Sequence, residues 1–181
     1  MIETKRLFLR QWQAQDFPLF AKMNGSAIVM KYFENTLSQA KSDELANRLA
    51  DLIAQRGWGL WALEEKLTGH FVGFVGLNEA PDTLPCSPAV EIGWRLANEF
   101  WGKGYATEAA KASLSYAFDS LKLEKVVSFT ATINTPSIKV MKRIGMQNTK
   151  QNFPHPGVKG NRLKEHVLYQ ITAQQWFRMD N

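Results

Sequence analysis

The chain has few of the residues that staple small folds or bind metals: of its 181 residues, one is cysteine and three are histidine. Cys86 lies in the proline-broken run Pro81-Asp82-Thr83-Leu84-Pro85-Cys86-Ser87-Pro88, so no internal disulfide and no cysteine-rich metal site can form. His70, His155 and His166 are scattered without paired spacing, which predicts strand or loop histidines and no metal. No apolar run reaches the length of a bilayer span. Met1-Ile2-Glu3-Thr4-Lys5-Arg6 lacks the basic-then-apolar layout of a signal peptide, so the expectation is a soluble, cytoplasmic protein with no membrane partner. Internal repeats and linkers are also missing. With 45% hydrophobic residues, the chain predicts a single domain over residues 1–181, large enough for a sizeable core.

The net charge of +5 suits an acidic partner. Its lysines and arginines are dispersed and no nucleic-acid motif is present, which favours a local anionic ligand over direct nucleic-acid binding.

Periodicity then orders the chain. Residues 5–12 alternate as an edge strand, Asp16 before Phe17-Pro18 reads as a helix N-cap, and Ser38 to Gln55 has helical spacing at Leu45, Leu49, Leu52 and Ile53. Trp58 to Glu64 and His70 to Leu77 form a hairpin around Lys66 to Gly69, and the second strand, apolar on both faces, should be central. Ala89 to Leu96 places Val90, Ile92, Trp94 and Leu96 on one face and Glu91, Gly93 and Arg95 on the other. A helix over Tyr105 to Ser120 carries a small-residue stripe. A strand at Lys125 to Thr132, a helix from Asn134-Thr135-Pro136 to Ile144 ended by Gly145, and a strand pair at Met146 to Phe153 and Lys164 to Ile171 complete the chain. That order predicts a mixed α/β (α+β) sheet with helices on its faces.

Between the Ala89 to Leu96 strand and the next helix stands Trp101-Gly102-Lys103-Gly104-Tyr105-Ala106-Thr107-Glu108-Ala109. Gly102 and Gly104 can adopt positive φ and add no bulk, so backbone N–H groups can converge on an anion at a helix N-terminus, and Lys103 adds a charge. A nucleotide P-loop would need four residues between its glycines. A Rossmann fingerprint would need a third glycine and a repeated βαβ order.

This turn, with Thr4-Lys5-Arg6-Leu7-Phe8-Leu9-Arg10, Glu91-Ile92-Gly93-Trp94-Arg95-Leu96, Asn134-Thr135-Pro136-Ser137, Ile144-Gly145-Met146 and His166-Val167-Leu168-Tyr169, resembles the GNAT acetyltransferase superfamily. The likeness is to its branch of ribosomal-protein N-terminal serine and alanine acetyltransferases. It implies a single-domain, mostly antiparallel mixed sheet with a splayed central strand pair, helices on both faces, and acetyl-CoA as co-substrate without metal. It assigns pyrophosphate contacts to Gly102, Lys103, Gly104, Tyr105 and Ala106, with Thr107 nearby. Trp101 falls at a Gln/Arg position and departs from the family pattern. The resemblance maps pantetheine pairing onto Trp94, Arg95 and Leu96 and adds Asn134 to the cofactor site. Lys139, Lys142 and Arg143 can reach the outer phosphate or form a solvated face.

Acyl transfer to an amine needs a neutral amine and a proton for the leaving thiolate. Many GNAT enzymes carry a tyrosine acid seven residues after the asparagine that matches Asn134; here that residue is Met141, which cannot donate. Ser137, at the position of a serine acid in the ribosomal-protein branch, is the candidate acid, with capping of its helix as its structural role. Glu91 is the candidate base, directly or through water, against the reading of an ordinary strand carboxylate; Glu165 is a further sheet carboxylate. The expected reaction is acetyl transfer to a primary amine in a ternary complex. The acceptor is a protein N-terminus, ribosomal or other, or a small amine, amino acid or antibiotic. Trp12, Tyr32, Phe33, Trp58 and Trp61 line its pocket or belong to the core. A non-catalytic acyl-CoA-binding or ribosome-docking module is the alternative, and the protein is expected to be a monomer or homodimer.

Overall fold

The computed structural model describes residues 1–179. Strands β1 (Ile2–Glu3) and β2 (Leu7–Arg10) precede helices α1 (Asp16–Gly25) and α2 (Gln39–Arg56), and β3 (Leu60–Glu65), β4 (Phe71–Glu79) and β5 (Val90–Leu96) follow. Next come α3 (Tyr105–Ser115), β6 (Lys125–Ala131), α4 (Thr135–Arg143), β7 (Gln147–Asn148), β8 (Phe153–Pro154), α5 (Asn161–Lys164), β9 (Glu165–Thr172) and α6 (Ala173–Met179). The strands form one mixed sheet in the order β1-β2-β3-β4-β5-β6-β9-β7, with β8 beside β9. Every pairing is antiparallel except β5 with β6.

Side-chain alternation sorts the sheet into two faces. Phe74 shares the aromatic cluster of Trp12 and Phe20 under α1, whereas its neighbour Val75 pairs with Trp61, whose ring meets Tyr116 at the end of α3. Helices therefore cover both faces. Ala109, Ala110 and Leu114 of α3 are fully buried, so the expected small-residue stripe lets that helix pack close to β4 and β5. α2 begins where the Ser38 hydroxyl accepts from Lys41 N and stops at Gly57, whose φ of 80° suits glycine.

Several local expectations are corrected. β2 is not the edge strand, because β1 pairs along its outer side. Asp16 caps nothing: its carboxylate is buried, accepting from Arg10 Nη1 and Nη2 at 2.7 and 2.8 Å and from Gln13 N at 2.8 Å. The third helix ends its α geometry at Ser115 and continues as a π turn over Tyr116–Ser120. Met146 to Phe153 is not one strand but two short ones, β7 and β8, on opposite ends of β9. Helices α5 and α6 lie in segments that carried no helical expectation.

Candidate active site

The glycine turn forms the N-terminal end of α3. Gly102 and Gly104 have φ of 77° and 80°, in the left-handed region that glycine tolerates at least cost. The first helical bond runs from Glu108 N to Gly104 O at 3.0 Å, so the amides of Gly104, Tyr105, Ala106 and Thr107 precede the ladder and are free for an anion. A Cβ on Gly102 would meet nothing within 4 Å, so the space over the turn is open. Lys103 is exposed beside it.

Residues distant in sequence hold this turn. Arg6 donates from Nη1 to Lys103 O at 2.9 Å and from Nε to Glu108 at 2.7 Å, while Thr4 Oγ1 donates to the same carboxylate at 2.7 Å. The Arg6 guanidinium also stacks on the Tyr105 ring at 4.6 Å, and the Tyr105 hydroxyl donates to Glu65. One exposed ion pair contributes about 0–1 kcal/mol, but a shared network restrains loop geometry. Trp101, the departure from the family pattern, donates its indole N–H to Leu96 O at 2.8 Å and ties the turn to the end of β5.

Beside the turn the sheet opens. β5 and β6 are in register at one pair, Glu91 with Val127, and Ser128 Oγ adds a bond to Ile92 O at 2.9 Å. Beyond it, Trp94, Arg95 and Leu96 remain paired to β4 on one side and face a gap on the other. This is the expected splay, and it offers unpaired backbone to an extended ligand. Across the gap, Trp94 Nε1 donates to Ser137 Oγ at 3.2 Å. Since that contact occupies a lone pair of the serine, its own proton is free to be donated elsewhere.

Asn134, not Ser137, caps α4: its Oδ1 accepts from Ser137 N at 3.3 Å, and its amide donates to Thr130 Oγ1 at 2.8 Å. Both ends of the Asn134 side chain are therefore engaged in holding the start of the helix. Met141 is buried in the core. Lys139, Lys142 and Arg143 are exposed along α4.

Glu91 points to the opposite face of β5 from Trp94. Burial pushes its carboxyl up to about 7, against the opposing effect of a hydrogen bond from Asn78 Nδ2 at 3.3 Å. Arg56 in turn donates to Asn78 Oδ1 at 3.1 Å, which orients that amide. A carboxyl titrating near neutrality can take a proton at physiological pH. Glu165, by contrast, is exposed.

On this same face, Phe74 and Arg95 share a cross-strand pair, as do Gly76 and Gly93, and Asn78 and Glu91. A cavity of about 470 Å³ on this face is lined by Phe74, Asn78 and Arg95 of the sheet and by Leu45, Leu49 and Leu52 of α2. Of the aromatic pocket candidates, Trp12 and Trp61 are core residues. Phe33 is exposed, with the Arg95 guanidinium 4.1 Å above its ring, Tyr32 packs near Lys31, and Trp58 stacks under Arg56.

Sequence reasoning missed the Arg6–Glu108 clamp, although Thr4 to Arg10 belonged to the matching stretch. It also read His155 and His166 as unrelated, whereas their ring centroids lie 4.7 Å apart against Phe129 and Phe153. Burial lowers both imidazole pKa values.

Residues 6–147 match the acetyltransferase (GNAT) domain family. The chain is 30% identical over 179 residues to the uncharacterized N-acetyltransferase YnaD of Bacillus subtilis, covering 97% of this chain and 98% of that protein. It is 36% identical over 132 residues to the FsC-acetyl coenzyme A-N(2)-transacetylase of Aspergillus fumigatus, covering 68% of this chain and 54% of that protein. Among solved structures, a GNAT-family acetyltransferase from Bacillus anthracis superposes with a TM-score of 0.81 at 26% identity, covering 96% of this chain and 98% of that one. With its glycine turn heading α3 and its sheet parted between β5 and β6, the chain belongs to the GNAT acetyltransferase family, and it is an acyltransferase.

Proposed function

We propose that the protein transfers acetyl from acetyl-CoA to a primary amine in a ternary complex. One observation carries this reading: an open glycine turn of left-handed backbone adjoins a cleft flanked by a near-neutral carboxyl and a serine hydroxyl on opposite faces of the sheet. The turn fits a pyrophosphate, since free amides, absent side-chain bulk and Lys103 all favour an anion. Lys142 extends the positive charge toward an outer phosphate. Trp94, Arg95 and Leu96 offer backbone to a pantetheine arm, and an N–H on that edge polarises the reacting carbonyl. When bound, acetyl-CoA supplies the activated acetyl group.

An incoming amine and a departing thiolate diverge from the carbonyl between them, so proton acceptor and proton donor belong on different sides. Glu91 takes the ammonium proton on the α2 face, directly or through water, while Ser137 offers its hydroxyl proton on the α4 face. Asn134 supports the second step by fixing the helix start that holds Ser137. Replacing Ser137 with alanine should lower kcat about 100-fold, within the usual range for an acid–base group, with the KM for acetyl-CoA little changed. A kcat equal to wild type would leave Ser137 only its contact with Trp94.

For the acceptor, the cavity of about 470 Å³ beneath α2 has the size of a small-molecule site, which favours a small amine over a protein N-terminus. The Aspergillus relative is named as an acetyl coenzyme A-N(2)-transacetylase, a name that specifies a nitrogen as the acetyl acceptor. A panel of amino acids, polyamines and peptides copying ribosomal-protein N-termini, read by acceptor mass and thiol release, tests this. Acetylated small amines are the expected result. Acetylated peptides alone would restore the protein N-terminus. Binding of acetyl-CoA with no thiol release would mark a binding module.

A further inference from the structure

Arg95 is a cation without an anion. It sits on β5 four residues from Glu91 and on the same face, with Gly93 between them. Its Nη1 donates to Asn24 Oδ1 at 2.7 Å, and Nε is buried with no partner. Among the described residues, no carboxylate lies within ion-pairing distance of it. The rings of Phe33 and Phe74, 4.1 and 5.4 Å from the guanidinium carbon, offset part of the lost hydration. A guanidinium has five donors, and among the described residues one neutral oxygen is all that accepts from them. Burial depresses its pKa to about 10.

The same cavity carries a second guanidinium, the exposed Arg48 of α2, also with no carboxylate in reach among the described residues. Apart from Asn78, the rest of the wall is apolar. Above Gly93 the space is open, since a Cβ there would touch only a Leu60 methyl at 3.8 Å. Arg95 lines the cavity together with Asn78, the residue whose amide donates to the Glu91 carboxyl at 3.3 Å.

We infer that Arg95, with Arg48, recognises a carboxylate on the acetyl acceptor, so that the acceptor is a small amine that also bears a carboxylate and an apolar body. This rests on the reading of the protein as an amine acetyltransferase and names its substrate class. A planar guanidinium with free donors in a low-dielectric wall matches a carboxylate in shape and charge. The leucine side chains of α2 match an aliphatic body, and Glu91 receives the amine at the other end.

Matched pairs test it: leucine against leucinamide, and 6-aminohexanoate against its amide, each assayed with acetyl-CoA. In the wild type, the KM of the carboxylate member of at least one pair should lie about tenfold below that of its amide, the usual worth of a hydrogen bond to a charged group. In Arg95→Gln the ratio of the two KM values should collapse toward one. A structural role for Arg95 would move both members in proportion and leave the ratio standing, which overturns the proposal; so does a wild type that treats both members alike. Should Arg95→Gln fail to fold, Arg48→Gln carries the comparison on an exposed residue, and an unchanged ratio overturns the proposal. If neither pair is acetylated, the failure belongs to the small-amine reading. Thermal shifts with N-acetyl-leucine and N-acetyl-leucinamide then decide the role of Arg95 by itself. Stabilisation by the carboxylate alone, lost in the variant, supports it, and equal or no shifts overturn it.

Discussion

Gly104→Trp should weaken acetyl-CoA binding by more than 100-fold while the protein stays folded. Gly104 is exposed, and the nearest atom to an added Cβ is Arg6 Nη2 at 3.5 Å, so an indole projects over the turn rather than into the core. It fills the space that a pyrophosphate needs to reach the free amides, and it separates Arg6 from the loop it clamps. A side chain at φ of 80° costs about 1–2 kcal/mol, which in a domain of this size lowers Tm by roughly 2–8 °C. Calorimetric titration with acetyl-CoA, beside circular dichroism of the same sample, separates the two effects. Gly104→Ala should fall between wild type and Gly104→Trp. Unchanged affinity in the tryptophan variant would move the donor site elsewhere.

Glu91→Gln should reduce kcat/KM by about 100- to 10,000-fold, the range of a general base removed without changing its shape. The wild-type profile should rise with pH and level off above about 7, where the carboxyl is ionised, and the variant should lose that limb. Stability moves the other way. The folded-state pKa lies above the ordinary 4.5, so between 4.5 and 7 the folded protein holds a proton that the unfolded chain has released. Raising pH through that window destabilises the wild type, and above 7 the full cost of a desolvated carboxylate is present. Glutamine has no such titration, so the variant should exceed the wild type in Tm at pH 8 and lose most of that advantage by pH 4. A variant whose advantage over the wild type is no larger at pH 8 than at pH 4 would mean that Glu91 is better hydrated than its position implies. A base that weakens the fold it sits in is a common exchange of stability for activity.

Much of the architecture was legible because its signals are local. Ser38 and Gly57 bracket α2, β4 is apolar on both faces as a central strand requires, and the glycine turn declares its own backbone. What escaped depends on partners far along the chain. Asp16 has the composition of a cap, yet Arg10 and its buried pairing decide its role. The Arg6 contact with Glu108 spans 102 residues, and no periodicity announces it. His155 and His166 meet because β8 folds back along β9, a register that short strands barely encode. Alternation put Glu91 on the strand face opposite Trp94, but its shifted titration comes from burial on a face that only the fold completes. The Arg95 side chain was invisible as a recognition element for the same reason, since its lack of a counter-ion is a property of the assembled cavity.

The single register pair between β5 and β6 has a mechanical side. β4 and β5 share seven pairs, and so do β6 and β9, so the ladder is continuous on either flank and nearly interrupted at the centre. The two halves meet directly along β5 and β6, and α3, which packs on β4 and β5, touches α4 on the far flank. With so little ladder across the seam, amide exchange should report each flank opening on its own before the whole chain unfolds. A molecule lodged in the seam makes one unit of the two.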